Sequence, residues 1–121
     1  AFFVKTLYHA LRNKEGVNMI KIMLCCGAGM SSSLLVTKMQ QAASDMNEDV
    51  ESWANPISEV VEHPEVDVIL LGPQIQYAQK STQKIVGKDI PVINIDFRSY
   101  GRMDGASVLK AALEAYRTIH E

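Results

Sequence analysis

The stretch Ile20-Lys-Ile-Met-Leu-Cys-Cys-Gly-Ala-Gly-Met-Ser-Ser-Ser-Leu-Leu35 constrains this chain more than any other. An apolar run ends in thiols, passes through a loop of small residues and resumes at helical spacing. That order predicts a buried strand, a tight loop and a helix. A cysteine at the strand end then faces the free N–H groups of the helix start and the positive end of its dipole. Such a position binds oxyanions and favours thiolate over thiol.

Composition narrows the surroundings of that loop. A chain of 121 residues fits one domain. Hydrophobic content of 47% and charged content of 21% are ordinary for a globular protein. A net charge of -2 gives no broad basic surface, which argues against nucleic acid as a partner. No apolar run approaches the roughly 18 residues of a membrane span, so work at a membrane requires docking to another protein. Cys25 and Cys26 are adjacent, and neighbours in a strand point to opposite faces, a poor start for a disulfide. No second Cys or His cluster completes a metal site, so neither metal nor cofactor is expected. A reduced, cytoplasmic protein is the simplest reading.

Residues 1–18 differ from the rest of the chain. Phe3, Leu7 and Leu11 share a helical spacing, and Asn13 to Asn18 reads as a linker. No signal-peptide h-region is present, and the segment reads as an upstream-translated or expression-derived leader, with Met19 as a native start.

From Met19 onward short apolar runs alternate with helical patterns. Strands are expected at Ile20 to Cys25, at Val50 to Ala54, at Val66 to Leu71 and at Pro91 to Ile95. The second mixes in Glu51 and Ser52 and suits an edge; the third is nearly continuous and β-branched, as a central parallel strand should be. Helices are expected over Ser32 to Met46, with Leu35, Met39, Ala42, Ala43 and Met46 on one face, and over Pro56 to Glu62 with Pro56 at the first position. Another covers Gln74 to Val86 and ends at Gly87. Tyr100 to Gly105 reads as a loop, with Asp104 as N-cap of a last helix that buries Val108, Leu109, Ala112, Leu113, Tyr116 and Ile119. The alternation implies an α/β sandwich with a parallel sheet covered on both faces. Ligands in such sheets bind beyond the carboxyl ends of the strands. Three loops should meet there: Cys26 to Ser31, Gly72 to Tyr77 and Asp96 to Asp104.

The first loop carries the chemistry. Gly27, Ala28 and Gly29 leave room for backbone N–H groups to converge on a phosphate, and Ser31, Ser32 and Ser33 add hydroxyls. A thiolate at their centre can attack a phosphoryl group, with the same donors steadying the transferring oxygens. A cysteine phosphatase uses Cys-x5-Arg, in which the arginine clamps those oxygens. Counted from Cys26, that position is Ser32, which disfavours hydrolysis. Arg98 and Arg102 are the arginines placed to reach this edge from the third loop. The P-loop lysine and the third glycine of the dinucleotide fingerprint are both missing.

At Cys26-Gly-Ala-Gly-Met-Ser-Ser-Ser-Leu-Leu35, Leu71-Gly-Pro-Gln-Ile-Gln-Tyr77 and Ile95-Asp96 with Tyr100-Gly-Arg-Met-Asp-Gly105, the chain closely resembles lactose/cellobiose-class enzyme IIB components of the sugar phosphotransferase system (PTS). The resemblance spans residues 19–121 as one type-3-like IIB domain and leaves 1–18 uncovered. It implies a three-layer α/β/α sandwich with a four-stranded parallel sheet, similar to low-molecular-weight tyrosine phosphatases. It also implies a phosphocysteine relay: a IIA phosphohistidine gives its phosphoryl group to Cys26, which passes it to a sugar held by the membrane IIC component. Aligned on Ala28-Gly29-Met30-Ser31, the nucleophile falls on Cys26 and a core residue on Cys25. Gly27 to Ser33 become the phosphate-binding loop, and Gln74 and Tyr77 second-loop contacts. The sugar implied is cellobiose or a related β-glucoside. Two alternatives share the loop: a cysteine phosphatase or arsenate reductase, and a regulatory module read out by phosphorylation.

Other polar residues have blander readings. Gln74 can cap a helix, and Asp96 or Asp104 beside a phosphoryl anion would oppose it. His9, His63 and His120 read as solvated, and Met30 as either core or part of a docking surface.

Overall fold

The computed structural model describes residues 19–26 and 32–120. Four parallel strands, β1 (Ile20–Cys26), β2 (Val50–Pro56), β3 (Val68–Leu71) and β4 (Val92–Asn94), form one sheet in the order β2-β1-β3-β4. The two strands with the longest apolar character, β1 and β3, therefore lie in the centre. The β2 strand is an edge, as its mixed composition predicts. Helices α1 (Ser32–Asp45), α2 (Gln79–Val86), α3 (Phe97–Gly101) and α4 (Gly105–His120) complete the described chain with two 3-10 helices, Ile57–Glu62 and Pro73–Ala78.

Two cores follow from strand alternation. On one face Ile22, Leu24, Val68 and Leu70 pack under Leu35, Met39 and Ala43 of α1 and Val108, Leu109, Ala112 and Leu113 of α4. On the other, Met23, Cys25, Ile69 and Leu71 pack under Val60, Ile75, Val86 and Ile90. Each face removes its apolar side chains from water at about 25 cal/mol per Å². The parallel α/β/α arrangement is the expected one.

Several element boundaries differ from expectation. Pro56 is the last residue of β2 and the N-cap of a 3-10 helix, so that helix begins at Ile57 rather than with Pro56 at its first position. The third strand starts at Val68 because the buried carboxylate of Asp67 accepts the Lys21 N–H at 2.8 Å, ending the ladder there. The expected helix over Gln74 to Val86 is two pieces. A 3-10 helix begins at Pro73, bends at Ile75 (φ -125°, ψ 26°), and gives way to α2 at Gln79. The expected strand Pro91 to Ile95 is shorter, Val92–Asn94. The expected third loop is largely α3. In α4, Tyr116 is only half-buried, packed at the border of the first core, and Ile119 is exposed. Residues 1–18, expected to be a leader, lie outside the described residues.

Candidate functional site

The sequence brings Cys26 to the carboxyl end of a central strand, paired across to Pro56 on one side and followed by the start of α1. Its alternation with Cys25 decides which thiol faces what. Cys25 joins the core beneath Ile75 and Val86 and is fully buried. Burial, and secondarily the neighbouring Cys26 sulfur, pushes its thiol up to about 12. Cys25 is therefore neutral and unreactive near pH 7. Both cysteines are free.

Cys26 is 6% exposed and turns toward α1, where its Sγ lies 3.3 Å from the Oγ of Ser32. Ser32 is the first residue of α1 and is itself buried. Ser33, one position on, is exposed. Gly27, Ala28, Gly29, Met30 and Ser31, expected to cradle the phosphoryl group, lie outside the described residues.

The second loop closes on the same sulfur-bearing residue. Gly72 donates its N–H to the Cys25 carbonyl at 2.9 Å. A Cβ on Gly72 would stand 3.5 Å from the Cys26 Cβ and 2.8 Å from the Gln74 Oε1. Gly72 thus leaves room for the Gln74 carboxamide, which a side chain at 72 would displace. Gln74 does not cap the 3-10 helix it belongs to; the N-cap is Gly72, with no side-chain hydrogen bond. Tyr77 is 82% exposed.

The third loop is accounted for by capping. Asp96 accepts the Ser99 N–H at 3.0 Å and starts α3. Asp104 accepts the Ser107 N–H at 3.1 Å and its hydroxyl at 2.8 Å, starting α4. Hydrogen bonds from Ser99 hold the Asp96 carboxyl below its usual range, and those from Ser107 do the same for Asp104. Both are fixed anions with structural work. Arg98 and Arg102 are exposed, and among the described residues the one hydrogen-bond partner of the Cys26 sulfur is Ser32. His63 is half-buried rather than solvated: its Nδ1 is 2.9 Å from Glu65, and its ring is 5.9 Å from that of Trp53. His9 lies outside the described residues, and His120 is exposed against Tyr116.

A buried sulfur at a strand-to-helix junction, backed by a hydroxyl and a glycine, suits covalent transfer. The family profile described as "PTS system, Lactose/Cellobiose specific IIB subunit" matches residues 21–111. The chain belongs to this family. Its IIB members are components of a sugar phosphotransferase that works with IIA and IIC components. The chain is 41% identical over 100 residues to the cellobiose-specific EIIB component of Lactococcus lactis, covering 75% of this chain and 91% of the relative. It is 39% identical over 97 residues to the oligo-beta-mannoside-specific EIIB component of Bacillus subtilis, covering 78% and 94%. A galactose-specific EIIB component of Lactococcus lactis is 40% identical over 100 residues, covering 75% and 91%. Among solved structures, the cellobiose-specific IIB component of Borrelia burgdorferi superposes with a TM-score of 0.70 at 33% identity, over 84% of this chain and 95% of that one. No helix among the described residues is long and apolar enough to cross a membrane.

Proposed function

We propose that this IIB chain is a phosphoryl carrier whose acceptor is Cys26. The observation that carries this reading is the burial of the Cys26 sulfur at the carboxyl end of β1, facing the start of α1 and the Ser32 hydroxyl 3.3 Å away. The donor is a phosphohistidine of the IIA component. The Cys26 thiolate attacks phosphorus, the N–P bond breaks, and the imidazole leaves with its electron pair. A hydroxyl of the sugar held by the membrane IIC component then attacks the phosphocysteine. The S–P bond breaks, the electron pair returns to sulfur, and the hydroxyl proton passes to solvent.

In this reading the loop Gly27, Ala28, Gly29, Met30 and Ser31 holds the phosphoryl oxygens through its backbone N–H groups, with a hydroxyl from Ser33, while Ser32 faces the sulfur. Gln74, on the second loop, adds a carboxamide. Tyr77 and Phe97, exposed on the elements that follow β3 and β4, serve in this reading as docking contacts for the IIA or IIC component. With serine in place of a phosphatase's arginine, the phosphocysteine waits for its partner. The domain that does this work spans 19–121, preceded by a leader, and acts in the cytoplasm.

Three relatives of nearly equal identity are named for cellobiose, oligo-beta-mannoside and galactose. Cellobiose or a related β-glucoside is the sugar proposed here. Reconstitution with the donor cascade tests the carrier: wild-type protein gains one phosphoryl group and Cys26→Ser gains none. Steady hydrolysis of an aryl phosphate by Cys26, in place of a stable phosphoprotein, would contradict it.

A further inference from the structure

Ser32 is an unusual residue to find buried at the head of a helix. It is 3% exposed, and among the described residues its Oγ has a single partner, the sulfur of Cys26. In the structure the thiol is the donor and the hydroxyl the acceptor. A serine hydroxyl also has its own proton, which turns about the Cβ–Oγ bond to suit its neighbour. When Cys26 is a thiol, Ser32 accepts; when it is a thiolate, Ser32 donates. A sulfur esterified to phosphorus has lost its proton and most of its basicity, and profits least.

From this we infer that Ser32 is a positioning residue for the sulfur rather than a ligand of the phosphoryl group: its hydroxyl stabilises the Cys26 thiolate both as nucleophile and as leaving group. The inference rests on the carrier reading and extends it. In the accepting step Ser32 O–H···S⁻ holds the sulfur while the S–P bond forms and the donor's N–P bond breaks. In the releasing step a hydroxyl oxygen of the acceptor forms the new O–P bond. The S–P pair returns to sulfur, where Ser32 is waiting to donate. Charge-assisted hydrogen bonds in a buried setting are stronger than neutral ones, so the contact matters most in the thiolate state. This is a second consequence of serine at the position where a phosphatase has arginine. The side chain there is too short to clamp oxygens but reaches the sulfur.

Alkylation of unphosphorylated protein by iodoacetamide, followed against pH in a Cys25→Ala background, reads Cys26 alone and needs no partner. Loss of a hydrogen bond to an anion weakens it about tenfold, so Ser32→Ala moves the midpoint of the rate profile up by about one pH unit. The freed thiolate is a stronger nucleophile, and the plateau rate at high pH rises about threefold. A merely loosened site raises rates at every pH and leaves the midpoint in place. Ser32→Gly, made separately and checked for folding by circular dichroism, gives the same shift if Ala disturbs the helix start. In the reconstituted cascade Ser32→Ala lowers the turnover of onward transfer several-fold and leaves the KM for the acceptor component unchanged. Superimposable alkylation profiles for wild type and both variants overturn the role given to Ser32, even if Cys26 is phosphorylated normally. A shifted profile in a protein that never gains a phosphoryl group upholds the Ser32–sulfur contact and overturns the carrier reading instead.

Discussion

At the scale of single residues, one step along a strand separates two thiols with opposite fates. Cys25 is sealed in the core and its ionisation is pushed up to about 12, chiefly by burial. In the unfolded chain a thiol with the reference value of 9.0 releases its proton well before that. Between these values the unfolded state binds fewer protons than the folded one, so stability falls as pH rises. The urea midpoint of the wild type should therefore drop more steeply from pH 9 upward than that of Cys25→Ala. Parallel curves would show that Cys25 ionises freely in the fold. The acid side has its own pair. Asp96 is held below its usual range by the Ser99 hydroxyl and N–H, and Asp104 by the Ser107 N–H and hydroxyl. A lowered folded-state value contributes stability above the unfolded value of 3.8, lost as pH falls through the folded one. Asp104→Asn should keep the cap and flatten the acid limb of the unfolding curve.

At the scale of elements, helix glutamines close both edges of the sheet. On β2, Ser52 donates its N–H at 2.6 Å and its hydroxyl at 2.8 Å to Gln40 Oε1, while Gln40 Nε2 donates to the Val50 carbonyl at 3.1 Å. On β4, Val92 donates to Gln83 Oε1 at 3.1 Å, and Gln79 Nε2 donates to the Val92 carbonyl at 2.7 Å. Open edges invite pairing with other chains. Gln40→Leu should cost about 1–3 kcal/mol in chemical denaturation, since it strands half-buried backbone groups. A second contact fixes α4 against α1: a Cβ on Gly105 would stand 2.4 Å from the Lys38 carbonyl carbon and 2.6 Å from the Met39 nitrogen. Backbone cannot yield as a side-chain tip does, so Gly105→Ala should cost about 1–3 kcal/mol or more. None of these glutamines stood out in the sequence, because a polar helix face looks the same whether it meets water or a strand edge. Helix α3 was hidden for another reason. Five residues are too few to show a 3.6 period, and Gly101 reads as a turn, although Asp96 three residues before Ser99 was a capping signal. The bend at Ile75 was equally silent, since 3-10 and α turns share the same residues at this length.

At the scale of the whole molecule, the parallel sheet and its two covered faces were readable from alternation of β-branched runs with amphipathic stretches. The parallel α/β rule then places loops at one edge, where the Gly72 N–H bonds the Cys25 carbonyl at 2.9 Å next to Cys26. The Cys26–Ser32 contact was only partly legible. The sequence offers three consecutive serines, and the helical turn alone decides that Ser32 points in while Ser33 points out. In the carrier reading, sugar choice falls to the component that holds the acceptor. Relatives at 39% to 41% identity are named for three different sugars, in line with that division of labour. The most direct measurement is phosphorus NMR of the protein after incubation with phosphorylated IIA, with Cys25→Ala and Cys26→Ala run beside the wild type. The expected result is one thiophosphate resonance in wild type and Cys25→Ala, absent from Cys26→Ala and discharged on adding the IIC component with its sugar. A resonance that survives in Cys26→Ala would contradict Cys26 as the carrier.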